Sequence, residues 1–228
     1  MKATPEGVTT GTPFPPDTDN WFQVASSENP ATGTGIFRMT QGAGASQRIG
    51  RKVVLKSIFF RMHMRNAVQQ AKISVRQNPG IRLMLLLDTQ SNGALPVTTD
   101  VFDEAPAADE TDLTGGVLPS QYLMRIENSQ RFKVLMDKTY YIRDSTTVTI
   151  PYATVSSDNA ILDQPTSTLA GLGCKDISVY KKLNIPIEFG GSTNDVNIVK
   201  SNAIYLCFNV IGAYSYISFN GRTQFLDV

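Results

Sequence analysis

The stretch Arg48–Arg65, RIGRKVVLKSIFFRMHMR, constrains this chain more than any other. It reads as one long strand, apolar on both faces and studded with cations. Side chains alternate along a strand, so Val53, Leu55 and Phe59 fall on one side. Val54, Ile58, Phe60, Met62 and Met64 fall on the other. Such a pattern predicts burial on both faces, by a second sheet and by a neighbour or loop. Arg48, Arg51, Lys52, Lys56, Arg61 and Arg65 mark its rim and ends. From Asn29 to Leu87 there are ten Lys and Arg and no Asp or Glu. A strand that is core and cationic at once suits a sandwich with one surface turned to a polyanion.

The chain has 228 residues and 41% hydrophobic content, which fits one sizeable all-β domain. With 21 basic and 20 acidic residues, net charge says nothing about partners, but the distribution does. Between Leu83 and Met124 no Lys or Arg occurs, while Asp88, Asp100, Asp103, Glu104, Asp109, Glu110 and Asp112 do. This dipole predicts one surface for an anion and another for solvent or a basic neighbour. Cys207, inside AIYLCFNVIG, is expected as a buried small hydrophobe and not as a disulfide partner of Cys174. There is no Asn-x-Ser/Thr acceptor, Met1–Asn20 is polar and Pro-rich where a signal peptide would be apolar, and no run reaches a membrane span of ~20 residues. The expectation is an intracellular, non-glycosylated, soluble product without membrane contact.

Residues 1–20 carry Pro5, Pro13, Pro15 and Pro16 and read as an extended arm whose end Trp21 and Phe22 anchor. Residues 32–47 are rich in Gly, Ser and Thr, so 1–47 is expected as arm and loop. IRLMLLLDTQ from Ile81 is a continuous apolar run, hence a buried central strand, and Asn92-Gly93 is a tight-turn signal. Further strands are expected over Arg131–Arg143, Val148–Val155, Ile177–Phe189, Ala203–Ile211 and Ser215–Val228, with a short strand or bend at Ala94–Phe102. About eight strands, long irregular links, no helix and no repeat favour an eight-stranded jelly-roll or Greek-key sandwich over a propeller.

Catalytic chemistry finds little footing. His63 is the one histidine and sits mid-strand between Met62 and Met64, where a packed or interface residue is the expectation. One His and two scattered Cys do not make a zinc site, no G-x-S-x-G occurs, and nothing pins two carboxylates to one place. TGTG (32–35), GAGAS (42–46) and GGSTND (190–195) lack the Lys of a phosphate loop and read as turns. The acidic run Asp100–Asp112 lacks EF-hand spacing and reads as a solvated loop. No enzyme activity, cofactor or metal is expected. The basic segment reads as contact with nucleic-acid phosphates, because no acid within it can pair locally. Phe37, Phe59 and Phe60 lie among its cations, although Phe59 and Phe60 are expected in the core.

Several pieces resemble coat proteins of small circular single-stranded DNA viruses, the group that includes circoviruses and geminivirus-like relatives. They are RIGRKVVLKSIFFRMHMR (48–65), IRLMLLLDTQSNGALPVTTDVF (81–102), SQRFKVLMDKTYYI (129–142), KKLNIPIEFGGSTNDVNIVKSNAIYLCF (181–208) and FNGRTQFLDV (219–228). The second is the most specific, and the order of the pieces agrees. The resemblance implies a single jelly-roll capsid domain over 48–228. It would self-assemble into a small icosahedral shell around a single-stranded genome, in the virion and, during assembly, in the host nucleus. The implied partners are other copies of the chain, the nucleic acid, and a host receptor at the outer loops. Candidate genome contacts are Arg38, Arg48, Arg51, Lys52 and Lys56, then Lys181 and Lys182. Long loops (Ala105–Ser120, Pro151–Gly173, Phe189–Asp195) would form subunit contacts or the outer surface. If about six to eight basic side chains touch phosphates, log K should fall with log salt with a slope of roughly −4 to −6.

Such coats usually begin with an arginine-rich arm, whereas Met1–Glu28 holds Lys2 against Glu6, Asp17, Asp19 and Glu28. Packaging then falls to the folded inner face or to an arm outside this sequence. The alternatives are a non-viral jelly-roll binding module, lectin-like or trimeric, which leaves the all-basic segment unexplained, and a sandwich hydrolase, for which one His supplies no site.

Overall fold

The computed structural model describes residues 2–9, 19–24, 39, 41–44, 47–66, 80–103, 122–142, 147–150, 167–170, 174–192, 198–211 and 215–228. The chain is predominantly β. Its strands are β1 (Lys2–Thr9), β2 (Asp19–Val24), β3 (Lys52–Asn66), β4 (Gly80–Asp88), β5 (Phe102–Asp103), β6 (Leu123–Met124), β7 (Phe132–Tyr141), β8 (Thr147–Ile150), β9 (Ser167–Ala170), β10 (Cys174–Phe189), β11 (Val199–Ser201), β12 (Ala203–Ile211) and β13 (Ser215–Asp227). One helical turn, α1 (Thr98–Val101), occupies part of the segment expected as a strand or bend. Five strands form one antiparallel sheet in the order β1-β13-β3-β10-β11. Four form a second, β2-β12-β4-β7, and β5-β6 and β8-β9 are separate hairpin pairs.

The two sheets share one core. Val53, Leu55, Ile58, Phe60, Met62 and Met64 of β3 meet Ile81, Leu83 and Leu85 of β4 and Ile204, Leu206 and Phe208 of β12 in a single buried cluster. Strands β4 and β12 are buried along almost their whole length because both their faces are covered. Their other face holds a second cluster of Met84, Leu86 and Cys207 with Val101, Phe102 and Phe132. Here α1 and the β5-β6 pair supply the lid, and Trp21 packs against it. Cys207 is buried, as expected of a small hydrophobe.

Strand β3 departs from its expected two-sided burial, and the cause is a bulge. Its pairing with β13 steps from Ser57↔Gln224 to Leu55↔Phe225, so Lys56 is an extra residue. The pairing with β10 shifts at the same place. An inserted residue reverses the alternation. Val53 and Leu55 before the bulge and Ile58, Phe60, Met62 and Met64 after it therefore all point inward and are buried. The opposite face carries Val54 and Phe59, half-buried, and then Arg61, His63 and Arg65, exposed. One buried face and one solvent face replace two buried faces.

The segment 1–47, expected as arm and loop, contributes two strands. β1 pairs with β13 and β2 with β12. Pro5 is compatible because β1 is an edge strand, where a missing N–H is tolerated. Phe22 is buried and stacks on Phe208 with ring centroids 5.1 Å apart, an anchor of the kind expected for Trp21 and Phe22. At Asn92-Gly93 the chain does turn: Gly93 has φ 79°, and the Asn92 side-chain oxygen accepts from the Ala94 N–H. This turn leads into α1 and not into a hairpin, since β4 pairs with β12 and β7. Arg38, Ala105–Ser120 and most of Pro151–Gly173 lie outside the described residues.

Candidate nucleic-acid interface

The all-basic segment is resolved by partners that come from elsewhere in the chain. Arg48 is fully buried. Its Nε donates to the Met39 carbonyl at 3.1 Å, Nη1 to Gly50 at 2.8 Å and Nη2 to Gly191. The guanidinium also lies 4.2 Å from the Phe189 ring centre. Burial pushes its pKa below the ordinary value, against the pull of the Asp227 carboxylate. Arg48 is thus a structural cation that ties the entry of β3 to the end of β10, and its expected place as a genome contact is corrected. Arg82, another cation of the segment, is buried and holds Asp137 through two bonds of 3.0 and 2.6 Å.

The remaining candidates separate into two groups. Arg51 and Lys52 are exposed at one end of β3, and Lys52 lies 3.7 Å from Glu188. Lys56, the bulge residue, is half-buried and donates to the side-chain oxygen of Asn184 at 2.6 Å. Asn184 sits in the opposing bulge of β10 with φ 134°. Lys181 and Lys182 do not act together. Lys181 is in register with the core residue Ile58 and is half-buried, whereas Lys182 pairs with Ser57 and is exposed on the outer face.

That outer face of the five-stranded sheet is where exposed cations and aromatic rings meet. In successive rows across β10, β3 and β13 lie Lys182–Ser57–Gln224, Tyr180–Phe59–Arg222, Ser178–Arg61–Asn220, Asp176–His63–Ser218 and Cys174–Arg65–Tyr216. Arg222 and Arg61 lie over the Phe59 ring, 5.5 and 5.8 Å from its centre, and Arg65 lies 4.7 Å from that of Tyr216. Tyr180 is 59% exposed in the same row as Phe59. Among the described residues Arg61, Arg65, Lys182 and Arg222 make no ion pair. Arg51 and Lys52 stand roughly 30 Å along β3 from Arg61, at about 3.3 Å per residue, and so belong to a different part of the surface.

This arrangement has the chemistry of a single-strand platform. Guanidinium groups are able to meet phosphates, and the exposed Tyr180 ring, with Phe59 half-buried in its row, offers a stacking surface to unpaired bases. Sequence reasoning missed Arg222, Tyr180 and Tyr216 and assigned Phe59 to the core. The available signal was alternation in the last strand, where Tyr216, Ser218, Asn220, Arg222 and Gln224 fall on one face. Among the described residues no cluster of three or more His, Cys, Asp or Glu is disposed to hold a metal ion. No protein-family model matches the chain, and no curated protein sequence matches it.

Proposed function

We propose that this chain is a coat-protein subunit, a single jelly roll that assembles into a small icosahedral shell around single-stranded nucleic acid. The observation that carries the fold is strand order. Taking β1, β2, β3, β4, β7, β10, β12 and β13 as eight successive strands, one sheet holds the first, eighth, third and sixth, and the other holds the second, seventh, fourth and fifth. This is the wrapping order of a double-sheet jelly roll, an architecture shared by capsid and lectin domains. The outer face of the five-stranded sheet favours the capsid reading over the lectin-like one. It presents Arg61, Arg65, Lys182 and Arg222 beside Phe59, Tyr180 and Tyr216.

In this reading that face lines the shell interior, and the layer of α1 and β5-β6 over the other sheet is turned outward with Asp100, Asp103 and Glu127. The subunit performs no catalysis; its work is assembly and neutralisation of phosphate charge. Sedimentation and negative-stain microscopy of the purified chain test the reading. Uniform particles of tens of subunits, with a 260/280 nm absorbance ratio above that of protein after nuclease treatment, are the expected result. A species of one to three subunits at every salt and pH tried would overturn it in favour of the binding module.

A further inference from the structure

The cationic face contains an open cavity of about 730 Å³, within the ~300–1,000 Å³ range of small-ligand sites. Among the described residues it is lined by Arg61, His63, Asp176, Ser178, Ser218 and Asn220 side chains with Met62, Ile177 and Phe219. A carboxylate here is out of keeping with a surface that only neutralises phosphates, because it repels a polyanion. Asp176 is nevertheless held in place: its Oδ1 is 2.7 Å from His63 Nδ1, and its side chain is 86% exposed.

We infer that this cavity binds a guanine base of the single strand, with Asp176 as the residue that selects it. The inference rests on the proposed nucleic-acid face and adds base preference to it. Of the common bases, guanine alone offers two adjacent donors, N1–H and N2–H2, that match the two oxygens of a carboxylate. Adenine and cytosine offer one amino donor and thymine or uracil one imide donor. Arg61 lies one row from Asp176 on the same face, where its charge meets the phosphate next to that base. His63 fixes Asp176 through one lone pair of Oδ1, which leaves the second lone pair of Oδ1 and both of Oδ2 for the two guanine donors. The base adjacent in the strand stacks on Tyr180 or Phe59, two rows away.

The test is binding of the full chain, freed of nucleic acid at high salt, to short labelled single strands. These are all-thymine strands and the same strands with one central guanine, inosine, adenine or cytosine, each with deoxyribose and ribose backbones. The guanine strand should bind roughly tenfold more tightly than the adenine strand, the value of one good bidentate pair. Inosine, which lacks the N2 amine, should fall between them. In Asp176→Asn and Asp176→Ala the preference should vanish while affinity for all-thymine strands rises, since a negative charge has left the face. A guanine preference with either sugar supports the inference. Equal affinity for all bases overturns it and leaves the nucleic-acid face intact, as does a preference that survives in both variants. No binding of any strand overturns the proposed face itself.

Discussion

Replacing Arg222 by Gln should change how the protein responds to salt by an amount that follows from the geometry. Four exposed cations of the outer face, Arg61, Arg65, Lys182 and Arg222, make no ion pair among the described residues, whereas Lys52 is near Glu188 and Lys56 is bonded to Asn184. Each phosphate contact contributes about −0.7 to the slope of log K against log salt for a single strand, so four give about −3. This is shallower than the slope expected from the basic segment alone. Between 50 and 200 mM salt the native chain should lose about fiftyfold in affinity, and Arg222→Gln only about twentyfold. Tyr180→Ala should behave differently: one stacked base is worth about 1–3 kcal/mol, lost at every salt with the slope unchanged. Fluorescence anisotropy with a labelled single strand across that range measures both. A native slope near −5, with no change in Arg222→Gln, would refute the assignment and move the contacts to Arg51, Lys52 and the residues before them.

Arg131→Met should destabilise the fold by about 3–5 kcal/mol in urea titration, because it abandons the fully buried Asp88, whose oxygens accept from Arg131 Nε and Nη2 at 3.0 Å each. Adding Asp88→Asn to that variant should recover part of the loss by removing the buried charge. Phe60→Ala should cost about 3–5 kcal/mol by opening a cavity where β3 meets the second sheet. Burial raises the Tyr140 pKa above its ordinary value of about 10. The folded state therefore holds that proton more tightly than the unfolded chain. The stability this provides is present below pH ~10 and is lost as pH rises through the higher folded value. Thermal unfolding should show that decline, and Tyr140→Phe should flatten it.

The strands were legible where composition and alternation agree. Ala203–Ile211 is strand β12 with the bounds read from sequence, and the apolar run from Ile81 is a central strand buried on both faces. Register was not legible at Lys56, because a bulge is one residue of backbone geometry with no composition of its own, and it moved Phe59 to the solvent side. Strands β1 and β2 were hidden by proline and polar content that an edge position or a single anchoring Phe22 can tolerate. Charge misled for a related reason. A segment without acids suggested unpaired cations, yet Arg82 and Lys52 meet Asp137 and Glu188 from distant strands, and Arg48 meets backbone carbonyls. The aromatic residues of the site, Tyr180 and Tyr216, are separated from Phe59 by more than a hundred residues of sequence and meet it only through sheet pairing.

Ultraviolet cross-linking of purified particles to the nucleic acid they enclose, with the attached peptides identified by mass, decides which sheet faces the nucleic acid. Adducts on Phe59, Tyr180 or Tyr216, protected from nuclease until the particle is opened, are the expected result. Adducts confined to residues 97–103 and 122–128, over the opposite sheet, would contradict it by turning the subunit the other way round.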